Sequence, residues 1–159
     1  MDSLSQIVLG ATCVAVLAPA LNRRKALVIG AVLGTLPDLD VLPLLAVSDP
    51  IKFMTWHRTA SHSLLVLPLL GLLLWGVAQR RWRWQGTDRW RWLCGFQLAL
   101  ITHPLLDAHT VYGTQLLWPM ATPPVMWSTV FIIDPLYTMP LLIGCICAWR
   151  WRERASAQR

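Results

Sequence analysis

A chain of 159 residues that is 55% hydrophobic and 14% charged, with a mean hydropathy of +0.49, is too apolar for an ordinary water-soluble domain of its size. Its formal charge of +6 does not read as a nucleic-acid footprint, because the basic residues fall in three blocks that separate or end apolar stretches instead of covering one polar face. Cys13, Cys94, Cys145 and Cys147 lie in or beside apolar stretches without a Cys-x-x-Cys pair, so no disulfide framework is expected.

In chain order, the first apolar stretch covers about 4–21, with Pro19 near its end; Asp2 in place of a basic leader argues against a cleaved signal peptide. A second stretch, about 26–47, is broken by Pro37-Asp38-Leu39-Asp40, and three more follow at about 62–79, 92–109 and 130–149. A membrane helix needs roughly 20 residues. The first, third and fifth stretches meet this, whereas the second and fourth carry ionisable groups and are expected to be broken or tilted. The expected fold is all-α: one domain over 1–159, a polytopic membrane helical bundle with about five membrane segments, one or two of them broken or tilted.

The basic blocks are Arg23 to Lys25, Arg80 to Arg91, and Arg150 onward. Placing all three in the cytoplasm gives one consistent topology: N-terminus outside, C-terminus inside, and only Lys52 and Arg58 external among the basic residues. Trp82, Trp84, Trp90, Trp92, Trp149 and Trp151 flank these blocks as an aromatic belt. Distance along each helix from its basic block then gives depth. Asp38 lies 13 residues from Lys25, His62 18 from Arg80, His103 12 from Arg91, Asp134 16 from Arg150 and Gln6 17 from Arg23. At about 1.5 Å per residue these heights run from about 18 to 27 Å. In a hydrocarbon core of about 30 Å, polar residues from five segments converge on one layer of the outer half.

Ionisable groups in a membrane segment are costly unless they are paired, face a cavity or hold an ion. Imidazoles and carboxylates without thiolates suit zinc, manganese or iron better than a closed structural zinc site. Seven ligands are available: Asp38, Asp40, His57, His62, His103, Asp107 and Asp134. His103 and Asp107, four apart, share a helical face, and the alternative for them is a capping or supporting pair. Asp38 and Asp40 reach one side only if Pro37 makes the backbone locally extended; otherwise they cap a following helix. His57 belongs to the entering loop and His62 to the first turn of the third helix.

Met1 to Ala11, then Gly34-Thr-Leu-Pro-Asp-Leu-Asp40, His57-Arg-Thr-Ala-Ser-His-Ser63, Thr102-His-Pro-Leu-Leu-Asp107, Thr110 to Pro119 and Phe131 to Pro140 together resemble a bacterial inner-membrane family known as predicted membrane-bound metal-dependent hydrolases. The resemblance spans nearly the whole chain. It implies that the acidic pair is Asp38 and Asp40, that His57, Arg58, His62 and Ser63 form one element and His103 with Asp107 another, and that Asp134 is the last acidic position. Some members carry histidine near Gln6, which marks Gln6 as a weaker ligand or a substrate contact. A distant grouping with zinc-dependent phospholipase C and the P1-type nucleases, both α-helical with clustered zincs, is implied as well.

The expected activity is metal-dependent hydrolysis of a phosphoester in a membrane lipid or lipid-linked substrate at the outer leaflet. Two or more divalent ions, zinc foremost and manganese or iron as alternatives, would activate water. Asp40 and His62 are expected to take part in catalysis with Arg58, the guanidinium that grips a phosphate oxygen; Arg58 alternatively binds headgroups or Asp49. Ser61, Ser63, Thr110, Gln115 and Tyr137 join Gln6 as supporting or substrate-binding residues. No Gly-x-Ser-x-Gly elbow, His-Glu-x-x-His helix or phosphate-binding glycine loop occurs. The opposing expectation is a non-enzymatic metal-binding protein or divalent-ion transporter, and Gly10, Gly30, Gly34 and Gly71 allow close packing within one chain or in a homo-oligomer.

Overall fold

The computed structural model describes residues 1–46, 48–49 and 56–157. Among the described residues its regular elements are all helical, and the only β pairing is an isolated bridge between Thr114 and Val125. Five helices have 13 residues or more: α1 (Ser3–Leu17), α2 (Arg23–Thr35), α4 (Leu67–Trp82), α5 (Gly86–Ala108) and α6 (Pro135–Ala157). Between α2 and α4 lie a 3-10 turn over Leu36–Asp40, a four-residue helix α3 (Val41–Leu44) and a second 3-10 turn over Ala60–His62.

The boundaries differ from the apolar stretches for local reasons. Helix α1 starts on Asp2, whose side chain accepts from the Ser5 amide at 3.0 Å, and stops where Ala18 turns extended one residue before Pro19. Helix α4 begins only at Leu67, with Pro68 in its first turn. His62 therefore sits in the preceding 3-10 turn instead of the helix. Helix α5 starts early, at Gly86, and runs through Pro104. Residues 130–134 are not helical; α6 begins at Pro135 under the Asp134 side chain, which accepts from the Leu136 amide at 3.0 Å.

Only Arg23–Leu44, at 22 residues with mean hydropathy 1.7, is long and apolar enough among the described residues to cross a membrane by length and composition. Helices α1 and α4, at 15 and 16 residues, span only about 22–24 Å. Five full-length spans are thus not what the helices display. Their outer surfaces are apolar nonetheless. Leu69, Leu72, Leu73 and Val77 line the exposed side of α4, and Leu136, Met139, Ile143 and Ile146 that of α6. A water-soluble bundle turns its polar side outward, whereas this one presents a broad apolar belt.

The centre is built on glycine. A Cβ added at Gly10 would stand 2.3 Å from the Gly30 carbonyl oxygen, and one at Gly34 would stand 2.3 Å from the Gln6 carbonyl oxygen. Helices α1 and α2 therefore touch backbone to backbone. Val14, Phe96, Ala99, Leu100 and Trp92, with Trp84 stacked on Trp92 at 4.5 Å, complete the core. The bundle is polar along its axis. At one end Lys25 lies 3.5 Å from the centre of the Trp82 ring, Arg24 lies over Trp149, and Arg91 donates to the Leu17 carbonyl at 2.7 Å. The histidines and most of the acids gather at the other.

Replacing Gly30 by Val should abolish the cooperative thermal transition of the detergent-purified protein or lower it well beyond the roughly 1–3 kcal/mol of ordinary overpacking, because backbone cannot yield. Gly76→Ala, where a Cβ meets nothing within 4 Å, should be neutral or slightly stabilising. Tryptophan fluorescence against temperature reads both.

Candidate metal centre

Each part of the site follows from a local peculiarity of the chain. Pro37 interrupts α2 and lacks an N–H, so it cannot donate to the Gly34 carbonyl in the 3-10 turn. That carbonyl instead meets His103 Nδ1 at 2.7 Å. His103 is fully buried on α5, one turn before Asp107, and the 3-10 turn over Leu36–Asp40 carries Asp38 toward both. His62 enters from the opposite loop, also fully buried, with Nδ1 2.9 Å from Ser61 Oγ.

These contacts determine the tautomers. His103 Nδ1–H donates to a carbonyl. The Ser61 hydroxyl donates to Asp40, so its oxygen accepts from His62 Nδ1–H. With both rings neutral, the two Nε2 atoms carry lone pairs and face each other at 3.1 Å. Asp38 Oδ1 lies 3.4 Å from His62 Nε2 and 3.3 Å from His103 Nε2, and Asp107 Oδ2 lies 3.3 Å from His62 Nε2. One donor atom from each of the four residues falls within 4.8 Å of every other.

Four lone-pair atoms facing one another repel unless protons on the imidazoles or a cation between them offset the charge. A tetrahedral zinc with ligand bonds of about 2.0–2.1 Å separates its ligand atoms by about 3.3 Å, which is the spacing found on four edges of this group. Asp107 Oδ2 has no hydrogen-bond donor although it is buried. The donor set, two imidazoles and two carboxylates, is one that a divalent ion takes without further charge compensation. The residues therefore fit a metal. Manganese or iron would need additional oxygen ligands to complete six positions.

The other expected ligands lie elsewhere. Asp40 and His57 form a pair of their own, His57 Nδ1 to Asp40 Oδ1 at 2.8 Å, and the second Asp40 oxygen takes Ser61 Oγ and the Arg58 amide. The His57 ring stands 5.7 Å from that of His62, beside the group and outside it. Asp134 caps α6, because a carboxylate directly before a helix-opening proline satisfies amides that the helix cannot.

Among the supporting residues, Gln6 Nε2 donates to Asp107 Oδ1 at 3.0 Å, and Thr110 Oγ1 donates to the Asp107 carbonyl at 2.7 Å. Ser61 holds His62. Ser63 turns away to the Trp118 carbonyl at 2.6 Å, Gln115 meets Arg58 only through the main chain at 3.2 Å, and Tyr137 donates its amide to Asp134 in the first turn of α6. Arg58 adopts a left-handed backbone conformation with φ 66°, which costs about 1–3 kcal/mol. Its Nε lies 3.3 Å from Asp107 Oδ2, its guanidinium lies over Tyr112 at 5.3 Å, and its buried Nη1 has no partner.

Sequence reasoning missed three participants: the Gly34 carbonyl, Tyr112 beneath Arg58, and the Met1 amine, which pairs with Asp107 Oδ1. Pro37, two residues beyond the end of α2, was a signal for the first. The ring and the amine carry none.

Fold and site together define a helical membrane-type protein with a buried His/Asp group at one end. The chain belongs to the family described as YdjM inner membrane protein, whose model matches residues 1–158. It is thus a member of a bacterial inner-membrane protein family, and that description names a place and no activity. No curated protein and no solved structure matches the chain.

Purified in detergent without chelator, the protein is expected to carry one zinc per chain by elemental analysis. His62→Ala and His103→Ala should lose it, and Asp134→Ala should keep it. At a free-zinc concentration of 100 Kd the ion should add about 2.7 kcal/mol to folding, seen as a fall in Tm on chelation that His62→Ala no longer shows.

Proposed function

We propose that this protein is a metal-dependent hydrolase of the inner membrane that cleaves a phosphoester in a lipid or lipid-linked substrate at the outer leaflet. The observation that carries the reading is the convergence of Asp38, His62, His103 and Asp107 beside a buried guanidinium hydrogen without a partner. One ion among these four residues is the reading their spacing supports, in place of the two expected from the number of ligands. Asp38, His62, His103 and Asp107 would hold a divalent ion, zinc foremost, which would supply Lewis-acid polarisation of a phosphoryl oxygen and a water of lowered pKa.

The chain's own groups then have distinct tasks. Arg58, held through Nε by Asp107, offers Nη1 to a non-bridging phosphate oxygen. Tyr112 keeps the guanidinium flat against its ring. His57, with Nδ1–H on Asp40, presents Nε2 as a hydrogen-bond acceptor for the attacking water. The side chains of Asp38 and His57 are 23% and 24% exposed while those of His62 and His103 are sealed, so substrate approaches from the side of Asp38 and His57. Since this end adjoins the apolar belt, a lipid substrate can keep its chains in the bilayer while its phosphate reaches Arg58. The chain crosses the membrane several times, with the metal group and N-terminus outside and the basic end in the cytoplasm.

An ion transporter would continue a polar track past the site. Directly beneath it Val14, Ala99, Leu100, Phe96 and Trp92 close the bundle, which favours hydrolysis.

Incubated with a panel of phospholipid and lipid-phosphate vesicles, the zinc-loaded protein should release inorganic phosphate or phosphorylated headgroups. Arg58→Lys should lower kcat/KM about 10–100-fold, the worth of a charge-assisted hydrogen bond, with zinc content unchanged. Zinc bound without release from any lipid would overturn the hydrolase reading and raise that of a metal-binding protein.

Orientation has a separate check. In a cysteine-free background, Lys52→Cys should react with an impermeant maleimide added to intact spheroplasts and Thr87→Cys only after lysis; the reverse pattern would invert the topology.

A further inference from the structure

The end opposite the metal group holds a cavity that the proposed hydrolysis does not use. It has a volume of about 420 Å³ and is walled by Ala15 and Val16 of α1, Arg23 and Leu27 of α2, and Gly144 and Ala148 of α6. The hollow exists because Ala15, Gly144 and Ala148 are too small to fill it; a Cβ added at Gly144 meets nothing within 4 Å. A second hollow of about 320 Å³ adjoins it, sharing Leu27 and Cys145. Helix α6 is thus held off the α1–α2 hairpin, joined across the gap by Thr12 Oγ1 and Cys145 Sγ at 3.3 Å.

Among the described basic residues around this cleft, Arg24, Lys25 and Arg91 are occupied, whereas Arg23 in the cavity wall and Arg150, exposed beside the adjoining hollow, are not. Arg24 donates to the Trp149 carbonyl at 3.3 Å, Lys25 sits on the Trp82 ring, and Arg91 holds the carbonyls of Leu17 and Ala18 at 2.7 and 3.4 Å. Arg23, half-buried in the cavity wall, has no hydrogen bond, ion pair or ring contact among the described residues. Among the described residues, no acid lines the cavity.

A guanidinium without a partner among the described residues, in the wall of an apolar slot of an inner-membrane protein, calls for an anion joined to a hydrocarbon chain. We propose that this cleft binds one anionic phospholipid, with an acyl chain between α6 and the α1–α2 hairpin and the phosphate on Arg23. The positive surroundings select a headgroup without an ammonium of its own, which distinguishes phosphatidylglycerol from phosphatidylethanolamine. The lipid completes the packing of α6, so its role is structural and independent of the chemistry at the other end.

Native mass spectrometry of the delipidated full chain, titrated with either lipid, tests this. The wild type should retain one phosphatidylglycerol at least fivefold over phosphatidylethanolamine. Arg23→Ala should lose that preference, Arg23→Lys should keep part of it, and Gly144→Leu, which fills the slot and leaves the charge, should lose retention of both lipids. Arg80→Ala, at an exposed arginine outside the cavity, should behave as the wild type. Equal retention of the two lipids by the wild type, or an Arg23→Ala variant that binds phosphatidylglycerol as tightly, would overturn the proposal. Metal content read in the same spectra separates this outcome from any failure of the metal centre.

Discussion

Two helices whose backbones touch leave no room for side chains between them, and α1 and α2 meet in this way at Gly10, Gly30 and Gly34. The metal group depends on that contact. With the helices in contact, the end of α2 lies beside the start of α1, so Gln6 reaches Asp107 while the Gly34 carbonyl reaches His103. Side chains larger than hydrogen at the three positions would separate the helices, and a displacement of an ångström or two would remove both contacts. The purpose of so close a packing is therefore the geometry at its end as much as the stability of the hairpin.

Polarity along the bundle follows from the same arrangement. Charges that cannot be paired are kept at the two ends, where they meet either tryptophan rings and carbonyls or one another, and the belt between them is apolar outside as well as in. Such an apolar belt between two polar ends suits a bilayer. Membership of an inner-membrane family agrees with this reading of the surface. Short helices such as α1 and α4 then imply either a locally thinned bilayer or ends completed by the loops packed around the site.

The helical class, the interruption at Pro37 and the gathering of His and Asp at one end were all legible in the sequence, because apolar length and rise per residue are one-dimensional quantities. Rotation about each helix axis was not. His103 and Asp107 share a face by their spacing alone, and they are together. Asp38 and Asp40 do not, and the 3-10 turn sends one to the centre and the other to His57. Asp134 had the right depth but stood before a proline, and its capping role was readable from that dipeptide; depth outweighed the local signal. The position of Arg58 rests on a left-handed residue in a loop, for which no residue pattern gives warning, since arginine is not a residue that turn chemistry selects.

Under the proposed function, Asp107 would serve both coordination and substrate binding, and its contacts bear on both. One of its oxygens is taken by Gln6 and the Met1 amine, and the other faces His62 and the Arg58 Nε. A carboxylate bound this tightly has little freedom to rotate, so the oxygen directed at the metal position is preorganised. The guanidinium is held by the same carboxylate and is spaced from the metal position by it. On that proposal, a phosphate accepting from Arg58 Nη1 would be directed toward the ion at a separation set by Asp107. On that proposal, binding and activation would be coupled through one buried side chain, so that substitutions of Arg58 would weaken turnover while those of Asp107 would remove the metal and the phosphate contact together.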